Sequence, residues 1–113
     1  MSQNEALNKK IHELQILEQQ LQQSSMQKQA TQVELNEVLN ALTEVSKTKD
    51  EVYRVIGGIM IRADVTALTK ELSEKKRVLE LRVQALEKQE KIVEDKARKN
   101  RDEINSVVKV RDK

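Results

Sequence analysis

The stretch Val52-Tyr53-Arg54-Val55-Ile56-Gly57-Gly58-Ile59-Met60-Ile61-Arg62-Ala63 sets the only two glycines of the chain between two runs rich in β-branched residues. Gly-Gly admits the positive φ angles of a tight two-residue turn, and β-branched side chains suit an extended, pleated backbone. The pattern predicts a β-hairpin; the competing reading is a helical break with an apolar loop. With a two-residue turn, Val52, Arg54, Ile56, Ile59, Ile61 and Ala63 share one face, and Tyr53, Val55, Met60 and Arg62 share the other. Both faces are largely apolar. A lone hairpin is marginal in water and leaves two strand edges with unpaired backbone groups. The stretch therefore argues for assembly, in which several hairpins join into a barrel that covers edges and apolar faces together. Val52, Tyr53, Val55, Ile56, Gly57, Gly58, Ile59, Met60 and Ile61 are the expected oligomerisation residues.

Upstream, Leu7, Ile11, Leu14, Leu21, Leu35, Leu39 and Leu42 follow a seven-residue repeat with steps of four and three, the mark of a coiled-coil seam. Ser2, followed three residues later by Glu5, has the spacing of a capping box at the start of this helix. Glu18, Ser25, Lys28 and Gln32 fall on positions of the same repeat in a glutamine-rich stretch, which predicts a helix that is only weakly zipped there. Downstream, a second seam runs through Val65, Leu72, Leu79, Val83, Leu86, Val93, Ala97, Ile104 and Val107, interrupted by Lys76, Glu90 and Asn100. The two helices are expected over 4–48 and 67–110, with a connector at 49–66. Each is about 65 to 70 Å long at 1.5 Å per residue, and arms of equal length are expected to fold back on one another as an antiparallel coiled-coil hairpin. That arrangement puts Lys28 near Glu87, Ser25 near Glu90, and Leu42 against Leu72 or Ser73. The fold class is mainly α, a single domain over 1–113.

Composition supports this reading and closes off others. Of 113 residues, 35% are charged and 1% aromatic, with no proline or cysteine, so a compact globule would lack the aromatic side chains that supply much of a core's buried area. Regular Leu, Ile and Val set the chain apart from disordered sequences, and its Glu/Lys/Leu/Gln character is that of long helices. The net charge of +2 hides a split: residues 1–48 carry four basic and six acidic groups, residues 67–113 fourteen and ten. Neither half is charged enough to demand nucleic acid. No apolar run is long enough to cross a membrane and no secretory pattern opens the sequence, so a soluble, cytoplasmic protein is expected.

Catalytic signatures are absent. There is no phosphate-binding glycine loop, no Cys/His metal spacing and no histidine beside a plausible nucleophile, so neither enzyme activity, metal nor cofactor is expected. His12 adjoins the first seam at Ile11 and reads as a solvated helix residue rather than a ligand or base. Glu13, Glu18, Glu90 and Glu94 read as solvated or ion-paired surface carboxylates. The basic run Lys96, Arg98, Lys99 and Arg101 is interrupted by Glu94, Asp95, Asp102 and Glu103, and the strong heptads precede it, the reverse of a DNA-binding basic region and its zipper. Met26 falls in the weakly zipped stretch. Methionine can serve an adaptable surface, but Met60 reads as packing within the assembly.

The order heptad, hairpin, heptad resembles the prefoldin family, specifically its beta class. The segment Val52 to Arg62 is similar to that class's run of Tyr, a basic residue, an apolar pair with Gly, an apolar triplet and a second basic residue. Leu79-Glu80 through Leu86-Glu87-Lys88-Gln89-Glu90 resembles its Leu-rich segment ending in Leu-x-x-Gln-Glu, and a single hairpin fits because alpha-class subunits carry two. The resemblance implies a hetero-hexamer with alpha-class subunits, built as a barrel body with coiled-coil tentacles. It also implies ATP-independent capture of unfolded polypeptides and their transfer to a group II chaperonin. In an antiparallel arm both termini lie at the free end, where Leu7, Ile11 and Leu14 face Ile104, Val107, Val108 and Val110. Helix ends fray, and these seven are the expected client-binding residues. A structural coiled-coil adaptor or spacer would use the same heptads without exposed apolar ends. Three valines within four residues, Val107, Val108 and Val110, cover more than one narrow seam and favour the first reading.

Overall fold

The structure, a computed structural model, describes the backbone of residues 2–111 and the side chains of residues 4–109. Helix α1 (Ser2–Lys47) leads into strand β1 (Val52–Ile56), strand β2 (Ile59–Ala63) and helix α2 (Val65–Arg111). The strands pair antiparallel, Val52 opposite Ala63, Arg54 opposite Ile61 and Ile56 opposite Ile59. Gly57 and Gly58 turn between them with φ of 56° and 78°, positive at both central positions as a type I′ turn demands. Side-chain-bearing residues adopt this conformation at a cost of about 1–2 kcal/mol each. The Gly-Gly turn is therefore a hairpin, and no helix passes through it.

Asp64 starts α2. Its carboxylate accepts from the Thr66 N–H at 3.2 Å, an N–H that the helix itself cannot satisfy, and sets a negative charge at the positive end of the helix dipole, while its carbonyl accepts the first bond of the helix ladder from the Leu68 N–H at 2.8 Å. Lys47 lies in the last turn of α1, where a cation is favoured. The Ser2 side chain, and with it the capping box, lies outside the described residues.

The chain packs as two units, Gln29–Gln84 and Met1–Lys28 with Ala85–Lys113. In Gln29–Gln84, Leu35, Val38, Leu79 and Val83 form the buried cluster, with Leu42 and Leu72 packed against it. Full burial of a Val or Leu side chain stabilises by about 1.5–3 kcal/mol, so these few contacts carry much of the adhesion between the helices of this unit. Glu34 pairs with Lys75 at 3.5 Å on its surface. In the other unit Ala97, Ser24 and Asn100 are buried, Lys10 pairs with Glu103 at 2.9 Å and Lys28 with Glu90 at 3.3 Å. As the partner number rises in α1 it falls in α2, which is the antiparallel order. Lys28 reaches Glu90, one turn beyond the expected Glu87.

The seam of α2 is the expected one, through Leu72, Lys76, Leu79, Val83, Leu86, Glu90, Val93, Ala97, Asn100, Ile104 and Val107, while Val65 is exposed. The seam of α1 differs from expectation at every second position. Leu7, Leu14, Leu21, Lys28, Leu35 and Leu42 face inward, but the residues between them on the seam are Lys10, Leu17, Ser24, Thr31, Val38 and Val45. Ile11, Glu18, Gln32 and Leu39 are exposed. Both sets lie within one turn of the leucine row, since a helix of 3.6 residues per turn puts i+3 and i+4 on either side of residue i. The apolar side chains of Leu17, Val38 and Val45 decide which side faces the partner.

Candidate functional site

The hairpin is the first candidate surface. Tyr53, Val55, Ile56, Ile59, Met60 and Ile61 are 46% to 70% exposed, although they lie in the most apolar continuous stretch of the chain. Val52 is half-buried and Gly57 and Gly58 form the turn. The pairing register puts Arg54 on the face of Ile56, Ile59 and Ile61. Its guanidinium donates two hydrogen bonds to Glu71, Nη1 to Oε2 at 2.5 Å and Nη2 to Oε1 at 3.2 Å, a bidentate geometry that tethers this face to the start of α2. These hydrogen bonds, with the charge of Arg54 and that of Lys75, hold the Glu71 carboxyl below the usual carboxylate range against the opposing effect of burial. On the other face Glu51 accepts from the Tyr53 hydroxyl at 2.6 Å and pairs with Arg62 at 2.6 Å; the hydrogen bond to Glu51 raises the Tyr53 hydroxyl. The charged residues of the hairpin are thus neutralised near its helix-proximal end. Val55, Ile56, Ile59 and Met60 are left as an apolar plate around the turn.

The second candidate surface is the chain-end part of the two helices. Leu7, Leu14, Ile104 and Val107 are half-buried in the seam, whereas Ile11 and Val108 are 39% and 41% exposed. Of the seven expected client-binding residues, four thus line the interhelical seam and two stand outside it. Val110 lies outside the described side chains. Val108 borders a shallow open groove with Asp102, Asn105, Ser106 and Lys109. The Glu103 carboxyl is held below its usual range by the hydrogen bond and charge of Lys10, with Lys99 adding to the effect and burial opposing it.

Exposed apolar residues also stand on the outer faces of both helices, among them Ile16, Met26 and Val33 in α1 and Leu81 and Ile92 in α2. Apart from Met26, whose place in the weakly zipped stretch marks it as an adaptable surface residue, they lie outside the expected sites. The signal was available, since each is a large apolar residue off the heptad. Among the described residues no group of acidic, Cys or His side chains is placed to hold a metal ion, and no helix is long and apolar enough to cross a membrane.

Two helices zipped by heptads and joined by an exposed apolar β-hairpin define the class, a coiled-coil helical hairpin that carries a strand pair between its helices. A profile described as prefoldin subunit matches residues 8–111. The prefoldin subunit beta of Thermococcus onnurineus is 34% identical over 101 residues, covering 88% of this chain and 87% of the relative, and that of Pyrobaculum neutrophilum is 38% identical over 88 residues, covering 76% and 70%. The crystal structure of the prefoldin beta subunit from Thermococcus strain KS-1 superposes with a TM-score of 0.82 at 33% identity, covering 89% of this chain and 90% of that one. The chain belongs to the prefoldin subunit family, in its beta class.

Proposed function

We propose that this chain is a single prefoldin-like domain acting as the beta-type subunit of an ATP-independent chaperone. Membership of the prefoldin family supports a chaperone-related role. In the proposed assembly, hairpins of this chain and of an alpha-class partner join edge to edge into the body of a cytoplasmic hetero-hexamer. The arm ends hold non-native polypeptides and pass them to a group II chaperonin. The observation that carries the reading is the hairpin itself, six large apolar side chains about half to two-thirds exposed on a strand pair with two free edges. Such a surface is stable in water only when covered.

Client binding follows from the chemistry of the ends. Non-native chains expose irregular apolar side chains, and the complementary surface needs no fixed pocket. Ile11 and Val108 present apolar area directly, and Leu7, Ile104 and Val107 add to it when the ends part. Each contact is weak, but several arms engaging one client raise the effective concentration of every further contact. The test is aggregation of a chemically denatured model protein diluted into buffer, with and without this chain assembled with an alpha-class subunit. Suppression without ATP supports the reading. A coiled-coil spacer would assemble to the same mass and suppress nothing.

A further inference from the structure

Asn100 occupies a seam position of α2 and is 8% exposed. Its Nδ2 donates to the backbone carbonyl of Lys10 at 3.2 Å, while its buried Oδ1 has no hydrogen-bond partner. Lys10 holds a seam position of α1 and its Nζ donates to Glu103 Oε2 at 2.9 Å. These three residues form a polar layer across the two helices. In the antiparallel order Leu7, Ile104 and Val107 lie on its chain-end side, and Leu14 and the fully buried Ala97 on its inner side.

A layer of this composition behaves differently from an apolar one. An amide in a coiled-coil seam lowers stability but selects one register, because only one alignment brings its donor to an acceptor. Opening an apolar layer exposes hydrocarbon to water, which is opposed in proportion to the area exposed. Opening this layer instead costs little burial, since the side chains of Lys10 and Glu103 are already 34% and 44% exposed when closed, and the Asn100 amide returns to water, where its Oδ1 gains the hydrogen bond that it lacks when closed. We propose that Lys10, Asn100 and Glu103 form a reclosable latch, which holds the chain ends zipped in a single register and lets them part at small cost. Parted, the ends offer Leu7, Ile104 and Val107 in addition to Ile11 and Val108. The latch stands on the geometry alone; its link to client capture rests on the function proposed above.

The test compares amide hydrogen exchange in the assembled full-length wild type, Asn100→Leu and Asn100→Ala. Leucine converts the layer to an apolar one, and protection of amides in 4–14 and 97–109 is expected to rise about tenfold, the factor that burial of a side chain of this size supports. Alanine removes the hydrogen bond and leaves a gap, and protection of the same amides is expected to fall. Amides around Leu35, Val38, Leu79 and Val83 serve as the internal reference and keep their wild-type protection in both. Equal protection of the ends in all three proteins overturns the latch. The Asn100→Leu assembly is also assayed for suppression of aggregation. Raised protection with weakened suppression supports both latch and capture; raised protection with undiminished suppression upholds the latch and overturns capture through parted ends.

Discussion

Replacing Ile59 and Met60 together by Asp separates folding of the chain from its assembly. The two residues adjoin the turn and point to opposite faces of the hairpin, and in the lone chain both are about two-thirds exposed. Two carboxylates there stay hydrated, so the helices and the seam are expected to survive, with stability changed by about 0.5 kcal/mol or less. In the assembly the sum is different. Covering a side chain that is about two-thirds exposed gains about 1–2 kcal/mol, from the 1.5–3 kcal/mol of full burial. The double variant therefore forfeits about 2–4 kcal/mol per hairpin and adds the desolvation of two unpaired charges, several kcal/mol more. At 1.4 kcal/mol per factor of ten, association should weaken by about a thousandfold or more. Mass measurement by light scattering at matched concentration, with far-ultraviolet circular dichroism for helix content, reads both halves. A variant that keeps its helix content and loses its oligomer agrees with the reasoning, and one that keeps its wild-type mass refutes it.

Two further outcomes follow from the arms and their ion pairs. Leu79→Ala hollows the buried cluster of α1 and α2 and should cost about 2–5 kcal/mol of stability, read as a lowered denaturation midpoint with the hairpin-dependent mass unchanged in native buffer. The Glu71 carboxyl is depressed mainly by hydrogen bonds from Arg54, so the stabilisation from this pair is full above the ordinary glutamate value of about 4.3 and is lost as pH falls through the lower folded value. Carboxyl-carbon NMR should show Glu71 titrating below an ordinary glutamate, and Arg54→Gln should return it toward the ordinary range.

The hairpin was the most legible element of the sequence, because Gly57-Gly58 and the β-branched flanks agree in local preference and nothing nearby competes. The seam of α2 was legible for a related reason: Val83, Ala97 and Ile104 lie four residues after Leu79, Val93 and Asn100 and fill the alternate positions with apolar side chains. In α1 the leucine row at Leu7, Leu14, Leu21, Leu35 and Leu42 was legible and the row beside it was not. Ile11 and Leu39 made the i+4 side look apolar, while Lys10, Ser24 and Thr31 weakened the i+3 side that packs inward. Leu17, Val38 and Val45 together pointed the right way. The Arg54–Glu71 tether and the Lys10–Asn100–Glu103 layer could not be read from spacing, since each joins residues that only the folded register brings together.

In the proposed assembly the hairpin makes the body and the chain ends bind the client. Removing residues 1–13 and 105–113 separates these two roles, since the deletion takes Leu7, Ile11, Val107, Val108 and Val110 but leaves the hairpin and the cluster of Leu35, Val38, Leu79 and Val83 intact. Assembled with an alpha-class partner, the truncated chain is expected to keep the wild-type stoichiometry of the oligomer and to lose most of its suppression of aggregation of a denatured model protein. Suppression at the wild-type ratio of oligomer to client would contradict this division of roles and move the binding surface to the inner arms or the body.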